Sequence, residues 1–231
     1  MLSKALVSKT FYFGLPNLKS NNLKMATYKT FYSDTPNPKH LSEAAQTLNQ
    51  GGIVIFPTDT VYGLGCLSSN SKGLDRFAKI KGVKLEQAPF SFIFQDIKEL
   101  SQYVAPMNSK TFKLVKRLLP GPYALIMHAA QKLPKPFQKR KTIGVRISKH
   151  PVLKALLPLL DSPLITSSLH DPDEILDYTA DPENLFENWE ANIDLMLSDG
   201  YGSNIPSTIL DLTKEPFELI RQGAGELPQG F

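Results

Sequence analysis

Ile53-Val54-Ile55-Phe56 is an unbroken apolar run rich in β-branched residues, bounded by Gly51-Gly52 on one side and Pro57 on the other. A run without polar alternation is the pattern of a strand buried on both faces, so the rest of the chain has to cover two sides of a sheet. Pro57 cannot donate to a strand ladder, and the strand ends or changes character there. Beyond it Thr58, Thr60 and Tyr62 alternate. If that segment stays extended, the three hydroxyls point to one side. Gly63 and Gly65 then admit a close backbone approach or a positive φ. A hydroxyl row at the exit of a buried strand, bounded by glycines, suits a small-molecule site. The plain alternative is a Thr-rich strand followed by a Gly turn.

A chain of 231 residues, 42% hydrophobic and 21% charged, is long enough for one domain with a substantial core. Helical spacing of Leu41, Ala44, Ala45 and Leu48 predicts a helix before Gly51, and Leu74, Phe77 and Ala78 predict another over 71–80. Further helices are expected over 97–103, 109–118 and 152–160, with a loop and a helix over 171–190. Strands are expected over 89–94, 123–128, 142–147, 164–167, 195–197, 207–212 and 218–221. The alternation is not strict, and some strands adjoin others directly. The expected architecture is α/β (α+β): a single domain with a twisted mixed β-sheet flanked by helices on both faces. Residues 1–30 form a leader, 35–225 the domain and 226–231 a tail.

Residues 1–24 carry four lysines and no acid. They read as a disordered extension, or as the product of an upstream start codon used in place of Met25. Without them the chain holds 22 basic and 22 acidic residues, so the formal net charge of +4 says little about partners. No apolar run approaches the roughly 18–20 residues of a membrane span. The single cysteine, Cys66, excludes an internal disulfide and a Cys-based zinc site, and fits a reducing, cytoplasmic setting.

Charge is segregated along the chain. Lys110 to Lys154 contains 12 basic residues and no acid, while Asp161 to Asp199 contains 11 acids and no Lys or Arg. The first block suggests a positive patch for nucleotide phosphate or RNA. The alternative is that the two blocks pair within the fold.

Candidate chemistry gathers at expected strand ends. Gly82 should stop its helix and leave Lys81 and Lys84 on a connection where ammonium groups can reach phosphates. Arg146 ends a strand and offers a guanidinium to an anion. Ser167, Ser168 and His170 follow one strand, and Ser207 and Thr208 open another. Ligands collect at strand ends in open α/β sheets, and these clusters suit a nucleotide plus a small polar substrate. The chain has no P-loop, no G-x-G-x-x-G and no His/Cys metal spacing.

The segment Pro57-Thr58-Asp59-Thr60-Val61-Tyr62-Gly63-Leu64-Gly65 resembles the signature of the YrdC/YciO family, the threonylcarbamoyl-AMP synthases and their relatives. Pro120-Gly121-Pro122, Thr142 to Arg146, Pro163 to Ser168, Pro206 to Asp211 and Ile220 to Gly223 extend the resemblance from about residue 35 to Gly225. It implies a YrdC-like fold and condensation of L-threonine, bicarbonate and ATP into threonylcarbamoyl-adenylate and pyrophosphate, for modification of tRNA adenosine. It also implies double-stranded RNA or tRNA as a partner, on a positively charged concave surface. No tightly bound cofactor is implied; ATP is a substrate and arrives with Mg2+. By position, Thr58, Thr60, Tyr62, Arg146, Ser168, His170, Ser207 and Thr208 would contact substrate. Lys81, Lys84, Ser168 and Arg221 would contact the nucleotide, with Lys81 and Lys84 as the catalytic pair.

Three positions depart from the family pattern. His170 stands where the Asn of Ser-x-Asn is expected, Ile93 where a threonine-pocket His is expected, and Ala124 where a Thr follows Pro-Gly-Pro. Val83 also separates the two lysines differently from the usual Lys-x-Arg-Pro. The pattern resembles the YciO branch. It leaves two alternatives open: an RNA-binding protein of the same fold with weak or no synthase activity, or ATP-dependent chemistry on another small substrate.

Overall fold

The strand expected from Ile53–Phe56 is present as Val54–Phe56, with no side chain of the run exposed. In the computed structural model, which describes residues 25–32, 35–85, 88, 90–131, 133, 135–169 and 180–227, it lies third from one edge of a mixed sheet. The strands are β1 (Thr27–Thr30), β2 (Val54–Phe56), β3 (Gly63–Leu67), β4 (Ser91–Ile93), β5 (Tyr123–His128), β6 (Thr142–Arg146), β7 (Leu164–Ser168), β8 (Leu195–Ser198), β9 (Thr208–Asp211) and β10 (Glu218–Arg221). Among the described residues these ten form one sheet in the order β1-β8-β2-β3-β7-β4-β6-β5-β9-β10. The pairs β1/β8, β2/β8, β4/β6 and β5/β9 are parallel and the others antiparallel.

Helices α1 (Pro38–Asn49), α2 (Ser71–Lys81), α3 (Ile97–Leu100), α4 (Ser109–Leu118), α5 (Pro151–Leu156) and α6 (Pro182–Trp189) cover both faces. α1 and α5 pack with Val54, Phe56, Leu67, Ile93 and Leu164 on one side. α2, α4 and α6 pack with Ile55, Leu64, Phe92 and Val145 on the other. α1 and α5 do not reach the whole of their face. Over β5, β6 and β9 its side chains (Ala124, Ile126, Thr142, Gly144, Ile209) stay half-buried, while alternate residues such as Leu125, Ile143, Val145 and Leu210 are buried under the helices opposite. One stretch of the sheet is therefore left open as a floor.

Local chemistry explains where the helices stop. Asn70 caps α2 by accepting from the Gly73 N–H at 3.1 Å. Gly82 ends it at φ 63°, a left-handed conformation that glycine takes without steric cost.

Four expectations change. β1 lies inside residues 1–30, so the sheet begins within the stretch set aside as a leader. Residues 57–62 form a bend instead of continuing the strand. Of the two uses open to Gly63 and Gly65, the structure takes the close approach: they open β3 under the Phe56 ring. A Cβ at Gly63 would lie 2.9 Å from Phe56 Cε2, and one at Gly65 would lie 2.9 Å from Phe56 Cε1. The helix expected over 97–103 shortens to Ile97–Leu100 and ends in a turn, and that over 152–160 divides into α5 and a 3-10 turn at Leu157–Leu159. The loop part of 171–190 falls outside the described residues apart from Ala180 and Asp181, which lead into α6.

No helix among the described residues is long and apolar enough to cross a membrane. Cys66 is fully buried in β3, and burial pushes its thiol up to about 12. A thiol at that pKa holds almost no thiolate at neutral pH. Disulfide reagents are expected to leave the native protein unmodified and to react within minutes after denaturation; rapid labelling of native protein would contradict this burial.

Candidate functional site

The bend after β2 is built from its own hydroxyls. Thr58 Oγ1 accepts from the Thr60 N–H at 3.0 Å and donates to the Val61 carbonyl at 2.7 Å. It also lies 3.1 Å from Thr60 Oγ1. This local closure of the chain by threonine side chains is why the segment does not stay extended. Thr58 and Thr60 therefore meet, whereas the Tyr62 hydroxyl donates to the Gly200 carbonyl at 2.6 Å. Burial pushes the Tyr62 phenol up to about 12, so it remains a neutral donor.

Thr60 connects the bend to distant strands. Its Oγ1 accepts from Arg146 Nη2 at 3.1 Å and sits 3.2 Å from Ser207 Oγ. Arg221 donates twice to the Ser207 carbonyl, from Nη2 at 2.9 Å and Nε at 3.3 Å. Thr58, Thr60, Arg146, Ser207 and Arg221 are thus one constellation drawn from the β2–β3 bend and from β6, β9 and β10.

Asp59 completes it. Its Oδ1 accepts from Arg146 Nη2 at 3.2 Å and from Ser148 Oγ at 3.0 Å, and its Oδ2 accepts from the Lys149 N–H at 3.3 Å. Both side chains of the ion pair are largely buried. Burial lowers the Arg146 pKa, Asp59 opposes that shift and the like charge of Arg221 adds to it. Arg146 Nε is buried and has no hydrogen-bond partner among the described residues. An unpaired buried donor costs about 1–3 kcal/mol.

The strand registers place these groups on one face. Ile93 pairs with Arg146, Ala124 with Ile209, and Ile209 with Arg221, while the Leu125–Val145 pairing sets Ala124 beside Arg146. Ile93, Arg146, Ala124, Ile209 and Arg221 therefore form a single cross-strand row. The next row runs from Gly65, buried under the Phe56 ring, and the buried Thr166 to Ser91 and Gly144, which are half-buried at the open stretch. A floor of glycine and short hydroxyl side chains lets a planar or extended ligand approach the backbone.

Ser168 closes β7 on this same face, opposite Gly63. β4 runs antiparallel to β7, so the connection from α2 enters β4 at the end where Ser168 stands. Lys81 is the last residue of α2, not part of a free loop; it is half-buried, and burial lowers its pKa. Lys84 is exposed. Among the described residues neither lysine bonds to Thr60, Arg146 or Ser207, so the structure does not gather the lysines and the guanidinium groups in direct contact.

Thr208 is engaged elsewhere. Its hydroxyl donates to the Gly225 carbonyl at 2.7 Å and accepts from the Gly223 and Gly225 N–H groups, which fastens the chain after β10. It is a latch, not a ligand contact. Ile93 also differs from expectation, being fully buried in the apolar cluster with Phe56 and Leu164. His170 lies outside the described residues. Composition and spacing missed Asp59 as a partner of Arg146, because the pair is 87 residues apart in sequence. They also missed His150, whose Nδ1 accepts from the Val152 N–H at the start of α5 and whose Nε2 lies 2.8 Å from Asp199 Oδ2. A charged residue between two buried threonines was the one available signal.

A cavity of about 160 Å3 opens between the Thr58–Thr60 bend, Tyr62, His150, Asp199 and Tyr201. It is smaller than the roughly 300–1,000 Å3 of pockets for drug-sized ligands, and suits a small polar molecule. A larger cavity of about 210 Å3, by Met107, Met127 and Phe217, holds none of the hydroxyls of the bend; Arg146 and Arg221 line neither cavity. The chemistry points to the smaller one. Among the described residues no group of His, Cys, Asp or Glu is arranged to hold a metal ion.

Residues 46–223 match the Sua5_yciO_yrdC family model, described as "Telomere recombination". The chain is 30% identical to YciO of Escherichia coli over 206 residues, covering 88% of this chain and 98% of that protein. The crystal structure of E. coli YciO superposes with a TM-score of 0.79, covering 87% of this chain and 98% of that one. A threonylcarbamoyl-AMP synthase of Halorhodospira halophila is 31% identical over 132 residues, 57% of this chain and 69% of that protein. P. abyssi Sua5 complexed with L-threonine, 23% identical, shares the fold at a TM-score of 0.75 over 86% of this chain and 58% of that one. With a match spanning the hydroxyl bend, Arg146, Ser207 and Arg221 alike, the chain belongs to the Sua5/YciO/YrdC family, which includes threonylcarbamoyl-AMP synthases.

Proposed function

We propose that this protein is a nucleotidyltransferase of the threonylcarbamoyl-AMP synthase type, making threonylcarbamoyl-adenylate and pyrophosphate from L-threonine, bicarbonate and ATP. The observation that carries this reading is Arg146: a buried guanidinium with an unpaired Nε, tied to Thr60 and Asp59 beside a floor of small residues. A fixed guanidinium among hydroxyls recognises a carboxylate, and the small-residue floor offers room for a nucleotide alongside it. The likeness to Sua5 complexed with L-threonine supports the choice of amino acid.

In this reading threonine and bicarbonate first combine as the N-carboxylate, with loss of water. A carboxylate oxygen then attacks the α-phosphorus of ATP. The bond from that phosphorus to the bridging oxygen breaks, and pyrophosphate leaves with the electron pair. The protein contributes alignment and charge neutralisation. Thr60 and Arg146 orient the amino acid, while Arg221, Ser168, Lys81 and Lys84 serve the nucleotide. Magnesium enters as part of the substrate, carried on the phosphates. The product would feed tRNA adenosine modification.

The test is pyrophosphate release from ATP with threonine and bicarbonate supplied or withheld. Release that requires both is expected. Release driven better by another amino acid keeps the reaction class and changes the substrate, which Ile93 and Ala124 on either side of Arg146 would explain. Absence of amino-acid-dependent release overturns the synthase reading.

A second reading, binding of double-stranded RNA, rests on α4. Lys110, Lys113, Lys116 and Arg117 are all exposed on this acid-free helix, beside the exposed Phe112. These cations lie on the helical side of the sheet and not on the open floor, so an RNA would follow α4. Its affinity would fall steeply with salt.

A further inference from the structure

Arg140 holds the connection that carries the lysines. It follows the 3-10 turn Phe137–Lys139, just before β6. Its Nη2 donates to two carbonyls, Leu85 and Ala88, each at 2.6 Å. Its guanidinium carbon lies 4.2 Å from the centre of the Phe90 ring. That ring packs edge-on against Phe92 and Phe137, so the stacking platform belongs to the core.

The segment fastened in this way begins where α2 ends. Gly82 and Val83 donate back to Lys79 and Ala78, Ala88 donates to the Lys84 carbonyl, and Leu85 and Ala88 are buried. The backbone on both sides of Lys84 is therefore held to α2 at one end and to Arg140 at the other. Neither Lys81 nor Lys84 has a carboxylate partner among the described residues. Their connection enters β4 beside Ser168, at the rim of the small-residue floor.

Resting on the nucleotidyltransferase reading, we infer that Arg140 is a positioning residue for the nucleotide: it fixes Leu85 and Ala88 so that Lys81 and Lys84, just before them, stand ready for its phosphates. Arg140 itself does not touch the nucleotide. One guanidinium nitrogen donates to both carbonyls while the planar group stacks on a ring; a lysine keeps the charge but has no flat face, so it cannot stack and serve the two carbonyls at once.

The test compares Arg140→Lys with wild type by calorimetric titration with Mg·ATP and, separately, with L-threonine. It is repeated in a Lys81→Ala/Lys84→Ala background. Amide exchange at Val83 and Ala88 reports on the connection itself. In Arg140→Lys that exchange should quicken, ATP affinity should fall about tenfold, as expected when charge-assisted hydrogen bonds that hold a loop are lost, and threonine affinity should stay within about twofold. In the lysine-free background the same substitution should change ATP affinity less than about twofold, because the groups it positions are gone. Equal losses in both backgrounds, or unchanged ATP affinity despite faster exchange, overturn the positioning role alone. A wild-type protein that binds no ATP overturns both this role and the functional reading beneath it.

Discussion

Arg146→Met is expected to destabilise the protein by about 3–5 kcal/mol, the range for removing one partner of a buried ion pair. The substitution keeps much of the side chain's volume but leaves the Asp59 carboxylate with only the Ser148 hydroxyl and the Lys149 N–H. Urea unfolding gives the value directly, provided the m-value is unchanged. Asp59→Asn added to Arg146→Met should restore part of the loss, since a neutral amide tolerates the apolar neighbour better than an isolated charge does. Arg146→Lys separates the two roles of the guanidinium. It should retain more stability than the methionine variant, yet lose amino-acid binding, because an ammonium can at best replace the Nη2 that reaches Thr60 and Asp59 and lacks the remaining donors of the guanidinium plane. A methionine variant within about 1 kcal/mol of wild type would show that Arg146 does not hold the bend in place.

Phe56→Ala is expected to have an effect of similar size, about 3–5 kcal/mol for a large buried ring replaced by a methyl group. Here the cavity has a particular shape. The ring lies over Gly63 and Gly65, which have no Cβ to fill the space, and the cluster around it joins α1 and α5 to the sheet. A cycle with Gly63→Ala checks this geometry. In wild type the added methyl group meets the Phe56 ring and Thr166 Oγ1, both at 2.9 Å, so it should be costly. In the Phe56→Ala background one of those obstacles is gone and part of the cavity is refilled. The two substitutions should therefore couple favourably by about 1 kcal/mol. Simple additivity would mean that ring and glycine do not interlock.

How much of this was legible in the sequence depends on the range of the interaction. The apolar run at Ile53–Phe56, the helical spacing before Gly82 and the resemblance carried by Thr58 to Gly65 are local, and they gave the buried strand, α2 and the family. The bend at Thr58–Tyr62 was missed because alternation looks the same whether the chain is extended or closed on its own hydroxyls. β3 was missed because glycines that make room for a ring are indistinguishable from glycines that turn a chain until the ring's position is known. The structural role of Thr208 was hidden for a related reason: a hydroxyl at a strand start serves a ligand or the backbone equally well, and here three glycine backbone contacts engage it. Arg140 and Asp59 act through partners far along the chain or through main-chain carbonyls, which no residue pattern records.

The row Ile93–Arg146–Ala124–Ile209–Arg221 has a consequence for how such a site can diverge. Arg146 is bound into the fold through Asp59, so exchanging it disturbs the whole domain. Ala124, next to it on β5, is half-buried and makes no comparable polar connection. Under the proposed function the guanidinium would be a fixed anchor for an anionic group, whereas the neighbouring position can be rewritten at little structural cost. Substrate choice and foldability would then be carried by adjacent strands but by different residues, so one could drift while the other stays constant.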